Sequence, residues 1–153
     1  EALPLPLLGV STLEALAWHF PVPGVYIAAL LDAQKGNAYA ALYAYENGTM
    51  KEVKSTVVKS MEEIVMACEA MDRPVMLVGD IVQKKAAKIA ALSSKVFVAP
   101  AHMVMPRAAN VAQVGLAKVA AGAAGNVMDM EPVYIRRSEA EVLWEKRQQK
   151  AVE

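Results

Sequence analysis

Apolar residues recur at helical spacing in three stretches. From Ser11 the stripe is Leu13, Leu16, Ala17 and Phe20; from Ser60 it is Ile64, Val65, Cys68 and Met71; from Asp80 it is Val82, Ala86, Ile89 and Leu92, with Lys84, Lys85 and Lys88 on the wet side. Residues three and four apart share one face of a helix, so each stretch predicts a helix buried along one side. Start signals agree. Ser11-Thr12-Leu13-Glu14, Ser60-Met61-Glu62-Glu63, Asp80-Ile81-Val82-Gln83 and Ser138-Glu139-Ala140-Glu141 all pair a capping side chain with an acid or amide three residues on, and Pro106 suits a first helical turn. The helix opened by Pro106 extends to Gly122; it is rich in Ala and Gly and places Arg107, Asn110 and Gln113 on one polar edge.

Between the helices lie runs that predict strands: Pro6–Val10, Val25–Leu31, Ala38–Tyr45, Lys51–Val58, Pro74–Val78 and Lys95–Ala99. Ala33-Gln34-Lys35-Gly36 and Asn47-Gly48 are hairpin signals, so Val25 to Val58 reads as a three-stranded antiparallel meander. The two later strands alternate with helices, which implies right-handed crossovers and parallel neighbours. The expected fold is α/β, a mixed sheet flanked by helices in the order of an actin-like, ribonuclease-H-like lobe. The expected organisation is a linking strand and helix over 1–23, the lobe over 24–137, and a charged terminal helix or tail over 138–153.

Composition narrows the function. The chain has 153 residues, 56% hydrophobic and 21% charged, enough apolar material for one domain with one core. Lys+Arg and Asp+Glu both total 16, so no global charge field favours nucleic acid or an anionic membrane. No apolar run reaches the ~18 residues of a spanning helix. The single cysteine, Cys68, cannot form an intrachain disulfide, and with His19 and His102 it makes a poor zinc ligand supply, pointing to reducing cytosol and no metal.

Candidate chemistry is sparse. Asp32, Lys35 and Gly36 lie in a hairpin tip where an actin-like lobe wraps phosphate with backbone N–H groups, but Ala33 and Gln34 stand where glycines would help. The plainer reading is a turn in which Asp32 bonds its own backbone. Gly79 opens a helix after a strand, a place a ligand could approach, although Asp80 repels an anion and reads as a cap. A two-metal nuclease needs converging acids; here Asp32 and Asp80 sit at strand ends and Asp129 in a loop. No catalytic constellation assembles. Met103 and Met105, with Arg107 and Asn110, are the candidates for a partner surface, and the basic residues among 136–150 are interleaved with acids as on a solvated helix face.

Three segments, Pro6-Leu7-Leu8-Gly9-Val10-Ser11-Thr12-Leu13-Glu14-Ala15-Leu16-Ala17, Leu31-Asp32-Ala33-Gln34-Lys35-Gly36-Asn37-Ala38-Tyr39-Ala40-Ala41-Leu42-Tyr43 and Pro132-Val133-Tyr134-Ile135-Arg136, resemble the bacterial TsaB (YeaZ) family in its own order. The family's opening strand with its Asp-Thr turn and its Gly-Pro-Gly-Ser-Phe-Thr-Gly segment are not in this chain, so the resemblance implies its C-terminal lobe. It implies an actin-like but non-catalytic scaffold and dimerisation subunit, older descriptions of which are glycoprotease-like. The implied partners are the catalytic subunit that transfers threonylcarbamoyl to the tRNA adenosine beside the anticodon, an associated ATPase subunit, and a second copy of itself. ATP would enter only at the level of that complex, and direct nucleic-acid binding is not expected. The alternative is a nucleotide-binding or phosphotransfer half-domain using the Asp32 turn. A missing lobe also predicts an exposed apolar side on the Ser11–Phe20 helix or the Pro6–Val10 strand.

Overall fold

Five of the six predicted strands pair into one sheet. The computed structural model describes residues 7–123 and, beyond them, 125, 130–133, 135 and 144. Strands β1 (Tyr26–Asp32), β2 (Asn37–Glu46) and β3 (Thr49–Ser60) form the antiparallel meander, and β4 (Val75–Val78) and β5 (Val96–Val98) add in parallel, giving the order β3-β2-β1-β4-β5. The turn at Asn47-Gly48 has φ of 52° and 80°, the left-handed pair that matches the twist of a two-residue hairpin. Asparagine and glycine adopt it at least cost.

Helices cover both faces. On one, α2 (Met61–Glu69), α3 (Asp80–Lys84) and α4 (Ala86–Leu92) pack Met61, Ile64, Val65, Ile81, Val82 and Ile89 against Ala28, Leu30, Ala40, Leu42 and Leu77. On the other, α1 (Thr12–Ala17) packs Leu13, Leu16 and Ala17 against Ile27, Ala29, Ala41, Tyr43 and Val78. Burial on both faces explains why β1 is a continuous apolar run with no polar alternation. Helix α5 (Ala108–Ala120) lies on α1, held by the Asn110 amide donating to the Ala15 carbonyl at 3.0 Å and by Lys118 to Glu14 at 2.9 Å. It ends in a Schellman turn: Gly122 (φ 85°) donates to Val119 and Ala123 to Lys118.

Several local expectations need correction. Among the described residues only Ser60 forms the capping box, with Glu63. Ser11 starts α1 but makes no capping bond, its hydroxyl being hydrogen-bonded to Tyr43 instead. The next helix is capped by Gly79 rather than Asp80, and it breaks at Lys85 (φ −118°), so its buried stripe is Ile81, Val82 and Ile89 while Leu92 stays exposed. Pro106 precedes the fourth predicted helix, whose cap is Arg107. Of the Pro6–Val10 run, Leu7 makes an isolated antiparallel bridge to Gly125, residues 8–10 form no strand, and Pro6 lies outside the described residues, as do the Ser138 cap and all of the terminal tail except Trp144.

Candidate functional site

Parallel pairing of β1 with β4, Ala29 opposite Val78, brings both phosphate-loop candidates to the carboxyl ends of adjacent strands, the usual ligand edge of an open α/β sheet. There the Lys84 ammonium stands 3.8 Å from Asp32 Oδ2 and 3.5 Å from Asp80 Oδ2. Asp80 Oδ1 is buried with no hydrogen-bond partner among the described residues. Gly79 takes φ 133°, and a Cβ on it would fall 1.8 Å from the Leu30 carbonyl oxygen. The glycine is therefore required by close backbone approach, independently of any ligand.

The hairpin tip is folded on itself. Gln34 N–H donates to Asp32 Oδ1 at 2.8 Å, Ala33 N–H to the Asn37 carbonyl and Asn37 N–H to the Gln34 carbonyl, each at 3.0 Å. Gln34, Lys35 and Gly36 all have positive φ (63°, 52° and 84°). An anion arriving here would meet two carboxylates around one ammonium and a turn whose Ala33, Gln34 and Asn37 N–H groups are already bonded. Among the described residues no group of three or more His, Cys, Asp and Glu is placed to hold a metal. The Cys68 thiol is buried and pushed up to about 11 by desolvation, far from a reactive thiolate.

The four partner candidates separate. Met103 is half-buried in a 3₁₀ turn, Ala101–Met103; Met105 is 65% exposed, while its carbonyl sits 2.9 Å from His19 Nε2; Arg107 is exposed. Asn110 faces α1, and its amide is spent on Ala15. The apolar side of α1 is covered within the chain, with Leu13, Ala15, Leu16 and Ala17 all buried, so the exposed face expected there is absent; Leu7 of the preceding segment is 43% exposed. The larger uncovered apolar surface is on α5, where only Val114 is buried and Val111, Leu116 and Val119 are 40%, 68% and 46% exposed. Its signal was present: between Ala108 and Ala120 the single charge is Lys118, which points inward to Glu14. Beside α1 a cleft of about 980 Å³ is lined by Ser11, Thr12, Leu31, Tyr39, Glu52 and Lys118, with residues 130–133 and 135 along its edge.

A mixed five-stranded sheet in this order, covered by helices on both faces, defines an α/β protein of the actin-like, ribonuclease-H-like class. Two solved structures share it: a Pseudomonas aeruginosa protein described as similar to the peptidase YeaZ (TM-score 0.68, 21% identity, 86% of this chain and 59% of the other) and YeaZ from Pseudomonas aeruginosa (TM-score 0.67, 21% identity, 84% and 59%). No protein-family model matches the chain. In sequence it is 32% identical over 144 residues to the tRNA threonylcarbamoyladenosine biosynthesis protein TsaB of Bacillus subtilis (strain 168), a match covering 94% of this chain and 61% of that protein. The chain is thus similar to TsaB over nearly all of its own length and shares the fold of YeaZ, and it spans about three fifths of the length of those relatives.

Proposed function

We propose that this chain serves tRNA threonylcarbamoyladenosine synthesis as a non-catalytic scaffold, supporting a partner subunit that performs the threonylcarbamoyl transfer in the cytoplasm. Similarity to TsaB supports the pathway, and one observation supports the scaffold reading: the Lys84 ammonium lies between Asp32 and Asp80 at the edge where a catalytic actin-like lobe would hold its phosphates. The uncovered side of α5 is the surface such a role would use, with Met105 and Arg107 just before the helix. Among the described residues, no helix is long and apolar enough to cross a membrane. The test is reconstitution: threonylcarbamoyl transfer to tRNA by the catalytic and ATPase subunits, with and without this protein. Stimulation that survives Lys84→Ala and is lost with Leu116→Glu supports the scaffold. Saturable ATP binding by this chain alone, lost on Asp32→Ala, would replace it with the nucleotide-binding reading.

A further inference from the structure

Helix α2 leaves part of its sheet face open toward the edge strand β3. In the gap lies a groove of about 170 Å³, floored by Ala28, Ala40 and Leu42 and walled by Ile64, Ala67 and Met71 of α2 and the segment after it. An apolar space of ~150 Å³ accommodates a six-carbon ring, so this one has room for roughly six to eight carbons. Lys54 and Lys59 also line it, with Val57 between them, itself 42% exposed. Lys54 pairs with Leu42 and Lys59 with Ala38, so both side chains stand on the core-facing side of β3, about 13 Å apart along the strand. Neither is within salt-bridge distance of a carboxylate among the described residues, whereas Lys51, Lys84, Lys88 and Lys118 all are.

An apolar floor with an ammonium at each end, neither in a salt bridge among the described residues although Lys59 lies in the field of the exposed Glu63, is complementary to one ligand shape. We propose that this groove binds a medium-chain α,ω-dicarboxylate, its methylene chain over Val57, Ala40 and Leu42 and its carboxylates on Lys54 and Lys59. An extended eight-carbon diacid spans about 9 Å between its carboxyl carbons, and each lysine closes the remaining few ångströms by leaning inward. Inward-pointing lysines on an edge strand also discourage sheet-to-sheet pairing, a role that requires no ligand. The two uses make different predictions.

The experiment is an NMR and calorimetric titration of the full chain with suberate, octanoate, 1,8-octanediol and inorganic phosphate. Suberate binds saturably at one site and slows labelling of Cys68, which lines the same groove. Octanoate binds about three- to fivefold more weakly, the loss of one exposed ion pair, and the diol and phosphate more weakly still. Lys54→Gln or Lys59→Gln, both on exposed side chains, each reduce suberate to the octanoate level, and Ala67→Phe, which fills the groove from an exposed helix position, removes binding. Absence of saturable suberate binding, equal affinity for the diol or for phosphate, or suberate affinity unchanged in both lysine variants overturns the proposal and leaves the lysines as edge protection.

Discussion

Replacing Gly79 by alanine places a methyl carbon 1.8 Å from the carbonyl oxygen of Leu30 and 2.9 Å from its carbonyl carbon, distances no real side chain sustains. Leu30 is a fully buried residue of the central strand, so relief requires β1 and the end of β4 to separate by about 1 Å in the densest part of the core. Such forced overpacking costs ~1–3 kcal/mol, and holding a non-glycine residue at φ 133° costs a further ~1–3 kcal/mol. A loss of about 2–6 kcal/mol is a large share of the ~5–15 kcal/mol available to a domain, and corresponds to a fall in Tm of roughly 5–25 °C at this size. Chemical denaturation monitored by circular dichroism measures it. Gly115→Ala is the matched control, because that glycine lies within α5 with nothing within 4 Å of its added Cβ. Helix propensity there predicts a gain of ~0.5–1 kcal/mol. A Gly79→Ala protein within 1 kcal/mol of the parent would refute the close-approach argument and return Gly79 to the list of ligand-driven glycines.

Ser60→Ala removes the only complete capping box among the described residues and lowers stability by about 1 kcal/mol in the same assay. Leu116→Glu on the outer side of α5 changes stability by no more than ~0.5 kcal/mol, whereas Val114→Ala on its inner side costs ~1–2 kcal/mol; equal effects would mean α5 is not docked as described. Burial raises Cys68 from 9.0 to about 11 and Tyr43 from 10.0 to about 12, so both hold their protons more tightly folded than unfolded. Their contribution is fully present below pH 9 and declines as pH rises from 9 to 12; urea melts should show that decline, and Cys68→Ala should remove its lower half. At pH 8 the native thiol resists a disulfide reagent that labels the unfolded chain at once.

The meander, the two parallel additions and the sites of α2 and α5 follow from local chemistry: helical spacing of apolar residues, Asn47-Gly48, the Ser60–Glu63 box and the alternation of short apolar runs with helices. These are contacts among residues near in sequence, and their energetics are written in residue type and spacing. Errors arose where a nearby signal competed with a distant partner. Ser11 has the pattern of a cap, yet its hydroxyl serves Tyr43; Asn110 belongs to a polar edge, yet its amide holds Ala15, 95 residues away. The Asp32 turn is legible as an Asx turn from its own residues. That Asp32 and Asp80 would share Lys84 depended on the register of β1 against β4, set by side-chain packing on two faces and not by either turn. The sequence by itself determined the five strands of the sheet and where α1, α2 and α5 form, but not the break at Lys85 or the lack of a strand over residues 8–10. Only the tertiary structure decided which apolar faces are covered and which charges are paired: α1 is enclosed, α5 is left open, and Lys54 and Lys59 make no ion pair among the described residues. Burial and ion pairing are properties of what lies opposite a residue in space, and spacing along the chain does not contain that information.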